Sequence, residues 1–238
     1  GPGASITLSD TAGTWNILNS LVVEEGTLNL GSTDRSLDLP GAIAIGQNGT
    51  LAGEATLTLV SPGVKVTNNG TVSATNVVFD AVGDKYLDGS GTWQSLTIGD
   101  TNAPVVHTAP GMTLNAINLA VNNTLQLDNG DLTLPMENSL ITVPVGGNVI
   151  NNGQGIVHLK GPLSLSVLGT WSAPIVIDSG AVSISGTENL ILGDLTISAG
   201  SLNVTSGTTT MSGNVTINTG AQITGSPTSL NFNGVGKT

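Results

Sequence analysis

The tripeptide Gly-Thr-Trp occurs three times, as Gly13-Thr14-Trp15, Gly91-Thr92-Trp93 and Gly169-Thr170-Trp171, at two equal intervals. A repeating unit of about 78 residues follows from that spacing. These are all the tryptophans of a 238-residue chain, so a tandem repeat explains the spacing better than chance. The flanks agree. Val78-Phe79-Asp80-Ala81-Val82-Gly83-Asp84-Lys85 matches Asn231-Phe232-Asn233-Gly234-Val235-Gly236-Lys237-Thr238. Three units are expected, at approximately 13–90, 91–168 and 169–238, within one continuous body over 4–238. Gly1-Pro2-Gly3 reads as the scar of a cleaved expression tag and stays outside the fold reasoning. The chain is expected to be a segment of a longer repetitive protein.

A shorter period lies inside the long one. Gly180, Gly200 and Gly220 recur at equal intervals, a period of about 20 residues. Each follows a short apolar-alternating run, Ile175/Ile177, Leu195/Ile197 and Val215/Ile217, and Val182/Ile184 and Leu202/Val204 continue the alternation beyond the glycine. Alternation by two is the strand signal, and glycine between two such runs marks a corner. A coil of about 20-residue rungs follows, each rung stacked on the last at ~4.8 Å. Four such rungs fit one unit, and roughly twelve give a rod about 55–60 Å long. Ile223 and Met211 fall out of phase with this pattern.

Composition supports the coil. Glycine is abundant at 33 residues, cysteine is absent, and only 9% of residues are charged. Hydrophobic residues reach 38%, enough to bury a core, but aromatics are 3%, so the core is aliphatic and thin. β-Branched residues, asparagine and glycine suit pleated strands and tight corners. The expected fold class is therefore all-β: a right-handed parallel β-helix, or β-solenoid.

The net charge of −11 excludes some partners. Arg35, Lys65, Lys85, Lys160 and Lys237 are scattered singly, whereas phosphate neutralisation needs clustered cations, so no nucleic acid is expected. No apolar run approaches the ~20 residues that span a bilayer, so no membrane insertion is expected.

Segments such as Leu21-Val22-Val23-Glu24-Glu25-Gly26-Thr27-Leu28-Asn29-Leu30-Gly31 and Leu195-Thr196-Ile197-Ser198-Ala199-Gly200-Ser201-Leu202-Asn203-Val204 resemble the strand-Gly-Thr-Leu-strand repeats of autotransporter passengers. The whole chain is similar to the solenoid regions of filamentous-haemagglutinin-like adhesins. The resemblance is compositional and periodic, and carries no site residues across. It implies a secreted or cell-surface bacterial protein, a right-handed β-helix and an adhesive or stalk role.

Trp15, Trp93 and Trp171 are the candidate ligand-binding residues. Four rungs between copies would line them up on one face roughly 19 Å apart. Exposed, they would stack on the rings of a polysaccharide; packed, they would plug corners between units. No catalytic residue and no metal or cofactor site is assigned. Asp80, Asp84 and Asp88, and the turn Asp128-Asn129-Gly130-Asp131, lack the calcium-loop pattern. His107 and His158 stand alone in sequence, without acid or Cys partners at metal-ligand spacing. The expected function is a non-catalytic structural and adhesive module with a polysaccharide or host or neighbour-cell surface as partner, acting as a monomer or a fibre-forming homotrimer. A carbohydrate-binding solenoid using the Trp side chains is the alternative, and a polysaccharide-active enzyme a second.

Overall fold

The computed structural model describes residues 4–7, 13–17, 19–39, 41–99, 102–128, 130–134, 139–185, 188–191, 193–205, 207–226 and 229–233. Residues 1–3, where a tag scar is expected, lie outside these. Among the described residues there are strands and no helices, and every strand pairing is parallel. The strands stack as a β-solenoid of about 10 turns with a spacing of about 21 residues.

Each rung has three sides. The first face stacks, among others, Gly13–Asn16, Arg35–Asp38, Thr56–Leu59, Ser139–Val143, Leu163–Val167, Ala181–Ile184, Ser201–Val204 and Gln222–Gly225. The second carries Lys65–Asn68, Gly83–Asp88, Pro104–Thr108, Thr124–Leu127, Asn148–Asn151, Thr170–Trp171 and Thr208–Met211. The third begins with short segments joined to these faces (5–7, 27–29, 50–52). From Met112–Thr113 onward it is a separate six-stranded sheet through Leu132–Leu134, Val157–Lys160, Ile175–Ser179, Leu195–Ile197 and Val215–Ile217.

Period-two alternation decides which side chains enter the core. In Leu163–Val167 the leucines and the valine are buried and the serines between them are not. Stacking then turns each inward position into a column, such as Leu37, Leu59, Phe79, Ile98, Val121 and Val143, all at most 2% exposed. One rung has too little apolar surface to offset its chain entropy; neighbours on both sides supply the rest.

The corners are steric as well as conformational. Gly180 and Gly200 have φ of +72° and +85°, which glycine adopts without strain. A Cβ on Gly200 would sit 2.0 Å from the carbonyl oxygen of Gly180 in the rung below. Stacked glycines let successive corners approach at the strand spacing.

Two expectations are corrected. The solenoid has about 10 turns, not twelve, because its rungs are uneven and mostly longer than the glycine period. The short ones carry Leu163 to Val182; a long one carries Val143 to Val167. Ile223 and Met211 are in phase after all. A longer corner pairs Ile223 with Leu202, and Met211 pairs with Ile191 and Phe232.

Candidate functional site

The three tryptophans do not form an outward line. Trp15 is on the first face opposite Leu37. Trp93 is on the third side opposite Val72 and Ala116, and Trp171 is on the second face opposite Val149 and Ile191. Rung length explains this. With turns of about 21 residues, the interval between successive tryptophans falls one side short of four turns, so each copy moves round by one side. The side chains point inward. Trp93 and Trp171 are 2% and 1% exposed, which leaves no ring face for a sugar. Ala116 makes room beside Trp93, and the indole Nε1 of Trp171 is buried without a hydrogen-bond partner. Trp15 is half-buried, and the Arg35 guanidinium lies 4.6 Å from its ring centre.

The polar residues that do converge lie outside the core on the second face. Strand register stacks Lys65, Tyr86, His107 and Gln126 in one outward column, one residue per rung. The Tyr86 ring stacks on the His107 imidazole at 5.2 Å between centroids and 25° between planes. Asp128 Oδ2 lies 2.5 Å from Nδ1 of His107, and Gln126 Nε2 donates to Asp128 Oδ1 at 2.8 Å. Asp84 Oδ1 approaches Nε2 at 3.3 Å without forming a hydrogen bond to it. Lys65 and Asp88 form an ion pair at 3.2 Å beside this group. Lys65, Tyr86, Asp88, His107 and Asp128, with the segment 108–110 and Leu87, line a cleft of about 220 Å³.

His158 repeats the arrangement on the third side. Asp131 Oδ2 lies 3.6 Å from its Nε2 and Asp178 Oδ2 lies 3.1 Å from its Nδ1. In both cases one aspartate precedes the histidine's partner by two positions in the rung before. The other follows its partner by two in the rung after (Tyr86 and Gln126 for His107; Thr133 and Val176 for His158). The histidines that stand alone in sequence are therefore each flanked by two carboxylates. The partners lie about one rung away in sequence, so a search for local motif spacing passes over them.

The side chains of this cleft can stack on a ligand and hydrogen-bond it. Each carboxylate meets a different edge of the imidazole, so the groups do not converge on one point as metal ligands would, and no metal-binding cluster occurs among the described residues. His107 also sits between Asp84 and Asp128, where a glycosidic bond would have to lie for the pair to act on it. Asparagine pairs at Asn68-Asn69, Asn122-Asn123 and Asn151-Asn152 serve the corners. Asn68 is buried, accepts from Gly70 N at 3.0 Å and donates to Thr92 O at 3.1 Å. Asn151 accepts from Gly153 N at 2.9 Å.

Lys85 has a place in the core that conflicts with its chemistry. The alternation of Gly83–Asp88 turns it inward beside Leu87, and it is 0% exposed. Its Nζ has no hydrogen-bond partner. Burial lowers its affinity for a proton, and the charges of Asp80 and Asp84 partly offset that.

No protein-family model, curated protein or solved structure matches the chain. Among the described residues no helix is long and apolar enough to cross a membrane.

Proposed function

We propose that the chain is a non-catalytic structural and adhesive module of a secreted or cell-surface bacterial protein: an acidic rod that holds outward side chains in fixed register. The observation that carries this reading is the continuous core of buried, mostly apolar side chains from Leu30 to Met211, in which each inner turn is braced by its neighbours. Such a body resists bending and leaves the outward positions free to take any residue. Its partners are a polysaccharide or a host or neighbour-cell surface.

Carbohydrate binding is the second reading, and the cleft beside His107 favours it over the tryptophans. Tyr86 is 44% exposed, and Asp88, Asp128 and Lys65 offer acceptors and a donor around it. A partly exposed ring edged by carboxylates suits a neutral sugar, with a pyranose face near the ring and hydroxyls donating to the aspartates.

Pull-down on insoluble cellulose, chitin and xylan, and on intact bacterial and epithelial cells, tests both readings. Wild type is compared with Tyr86→Ala and Asp88→Asn. Retention on a polysaccharide lost in both variants supports sugar binding at the cleft. Retention on cells alone, unchanged in the variants, supports an adhesive contact elsewhere on the rod. Release of reducing ends from any polymer would overturn the non-catalytic reading.

A further inference from the structure

One position breaks the row of polar side chains that borders the His107 cleft. Asp88, Ala109 and Asp128 each follow by one the paired residues Leu87, Thr108 and Leu127 of successive rungs. Ala109 therefore stands in line between two aspartates, which are about 10 Å apart along the rod. Its methyl is the shortest side chain of the row, and Pro110 beside it adds a second apolar wall to the cleft.

The groups around this notch are of three kinds. Asp88 and Asp128 are acceptors. Lys65 and the backbone N–H of Gly89 each hold one oxygen of Asp88; His107 and the Gln126 amide each hold one of Asp128. A carboxylate oxygen has two lone pairs, so each keeps one for a ligand. Lys65 is the donor: its ammonium has three N–H groups and is about half exposed. Ala109 and Pro110 are the apolar part. The Tyr86 ring gives one face to His107, so a sugar cannot stack on that face.

Few ligand groups use all three kinds at once. Hydroxyls satisfy the carboxylates but leave the alanine and the proline uncovered. An ammonium is poorly served, because Lys65 already pairs with Asp88 at 3.2 Å and would repel it. A secondary acetamide carries an N–H, a C=O and a methyl on adjacent atoms. Its trans geometry points the N–H and the C=O in opposite directions. Lys65, held by Asp88, lies on one side of Ala109, and Asp128 lies on the other.

We infer that the notch at Ala109 takes the acetamido group of an N-acetylated amino sugar, so that the cleft selects glycans built from 2-acetamido pyranoses. The inference rests on the second reading above, in which this cleft holds a sugar. The acetyl methyl packs on Ala109 and Pro110, the amide N–H donates to Asp128, and the carbonyl accepts from Lys65. A ring hydroxyl donates to the spare lone pair of Asp88.

Calorimetric titration and saturation-transfer NMR with three trisaccharides test it: triacetylchitotriose, cellotriose and fully deacetylated chitotriose. Wild type is expected to bind the acetylated trimer at least about tenfold more tightly than either of the others, with the strongest saturation at the acetyl methyl protons. Ala109→Leu fills the notch and should abolish that preference. Lys65→Met removes the donor to the carbonyl and should weaken the acetylated trimer by about tenfold while leaving cellotriose nearly unchanged. Both side chains lie on the cleft surface outside the core, so the melting of both variants should stay close to wild type. Equal binding of cellotriose would overturn the inference and leave the sugar reading of the cleft standing. Tightest binding of the deacetylated trimer would overturn it in favour of an acidic site for amines. So would an Ala109→Leu variant that is folded and keeps the preference. Binding of none of the trimers would overturn both the inference and the sugar reading, and leave the rod to the pull-down on cells.

Discussion

Replacing Lys85 by methionine should stabilise the rod. The side chain lies between Val64 and Val106, which are 1% and 0% exposed, and its amine has no hydrogen-bond partner. Methionine has a similar length and no donors to leave unsatisfied. A buried polar group without a partner costs about 1–3 kcal/mol, and replacing buried charge by well-packed apolar residues often gains a similar amount. Asp80 does not depend on the amine, because it accepts from the backbone N–H of Asn102 at 2.7 Å. The expected gain is therefore about 1–3 kcal/mol, or roughly 2–12 °C in Tm for a chain of this size. The pH dependence gives a second, independent sign. Burial lowers the folded-state pKa of Lys85 below its usual 10.5. Between the lowered value and 10.5 the unfolded chain binds more protons than the folded one, so wild-type stability rises with pH across that window. The methionine variant lacks this rise, and its advantage should shrink as pH approaches 10.5. Urea unfolding followed by circular dichroism at pH 7, 8.5 and 9.5 measures both effects. A loss of more than about 1 kcal/mol at pH 7, or an advantage that does not change with pH, would refute the reasoning, because the amine would then be contributing a net favourable charge interaction with Asp80.

Trp93→Ala and Trp171→Ala should each cost about 3–5 kcal/mol, and Trp15→Ala less than half of that, read from denaturant midpoints. In the same experiment the emission of Trp93 and Trp171 should resist iodide quenching, while that of the half-buried Trp15 should not. Gly200→Ala should destabilise by about 2 kcal/mol or more, since it combines a positive φ with a 2.0 Å approach to the Gly180 carbonyl oxygen. Gly63→Ala, at φ +72° with open space around the new methyl, should cost only the conformational part, about 1–2 kcal/mol, and the difference between the two melts isolates the corner contact.

The candidate site was only partly legible in the sequence. Gly-Thr-Trp was legible as a recurring tripeptide, but the exposure of its indoles depends on which side of the rung each occupies. Uneven rungs averaging about 21 residues leave the interval between tryptophans short of four full turns, and an even count of twenty per rung misses this. His107, Asp84 and Asp128 were visible one by one. Their meeting depends on register, because partners in adjacent rungs are about 21 residues apart and an added corner residue shifts every pairing after it.

The sequence by itself determined the class of fold. Alternating aliphatic residues fix short strands with one buried side, recurrent glycines fix corners, and a period near twenty fixes a coil, because these are local properties of the chain. The tertiary structure decided the rest: which rung length each corner sets, which columns the side chains join, and so which polar groups meet outside and which amine is enclosed. Those outcomes accumulate over successive turns, so they follow from the stacking of the whole rod and from no single segment of it.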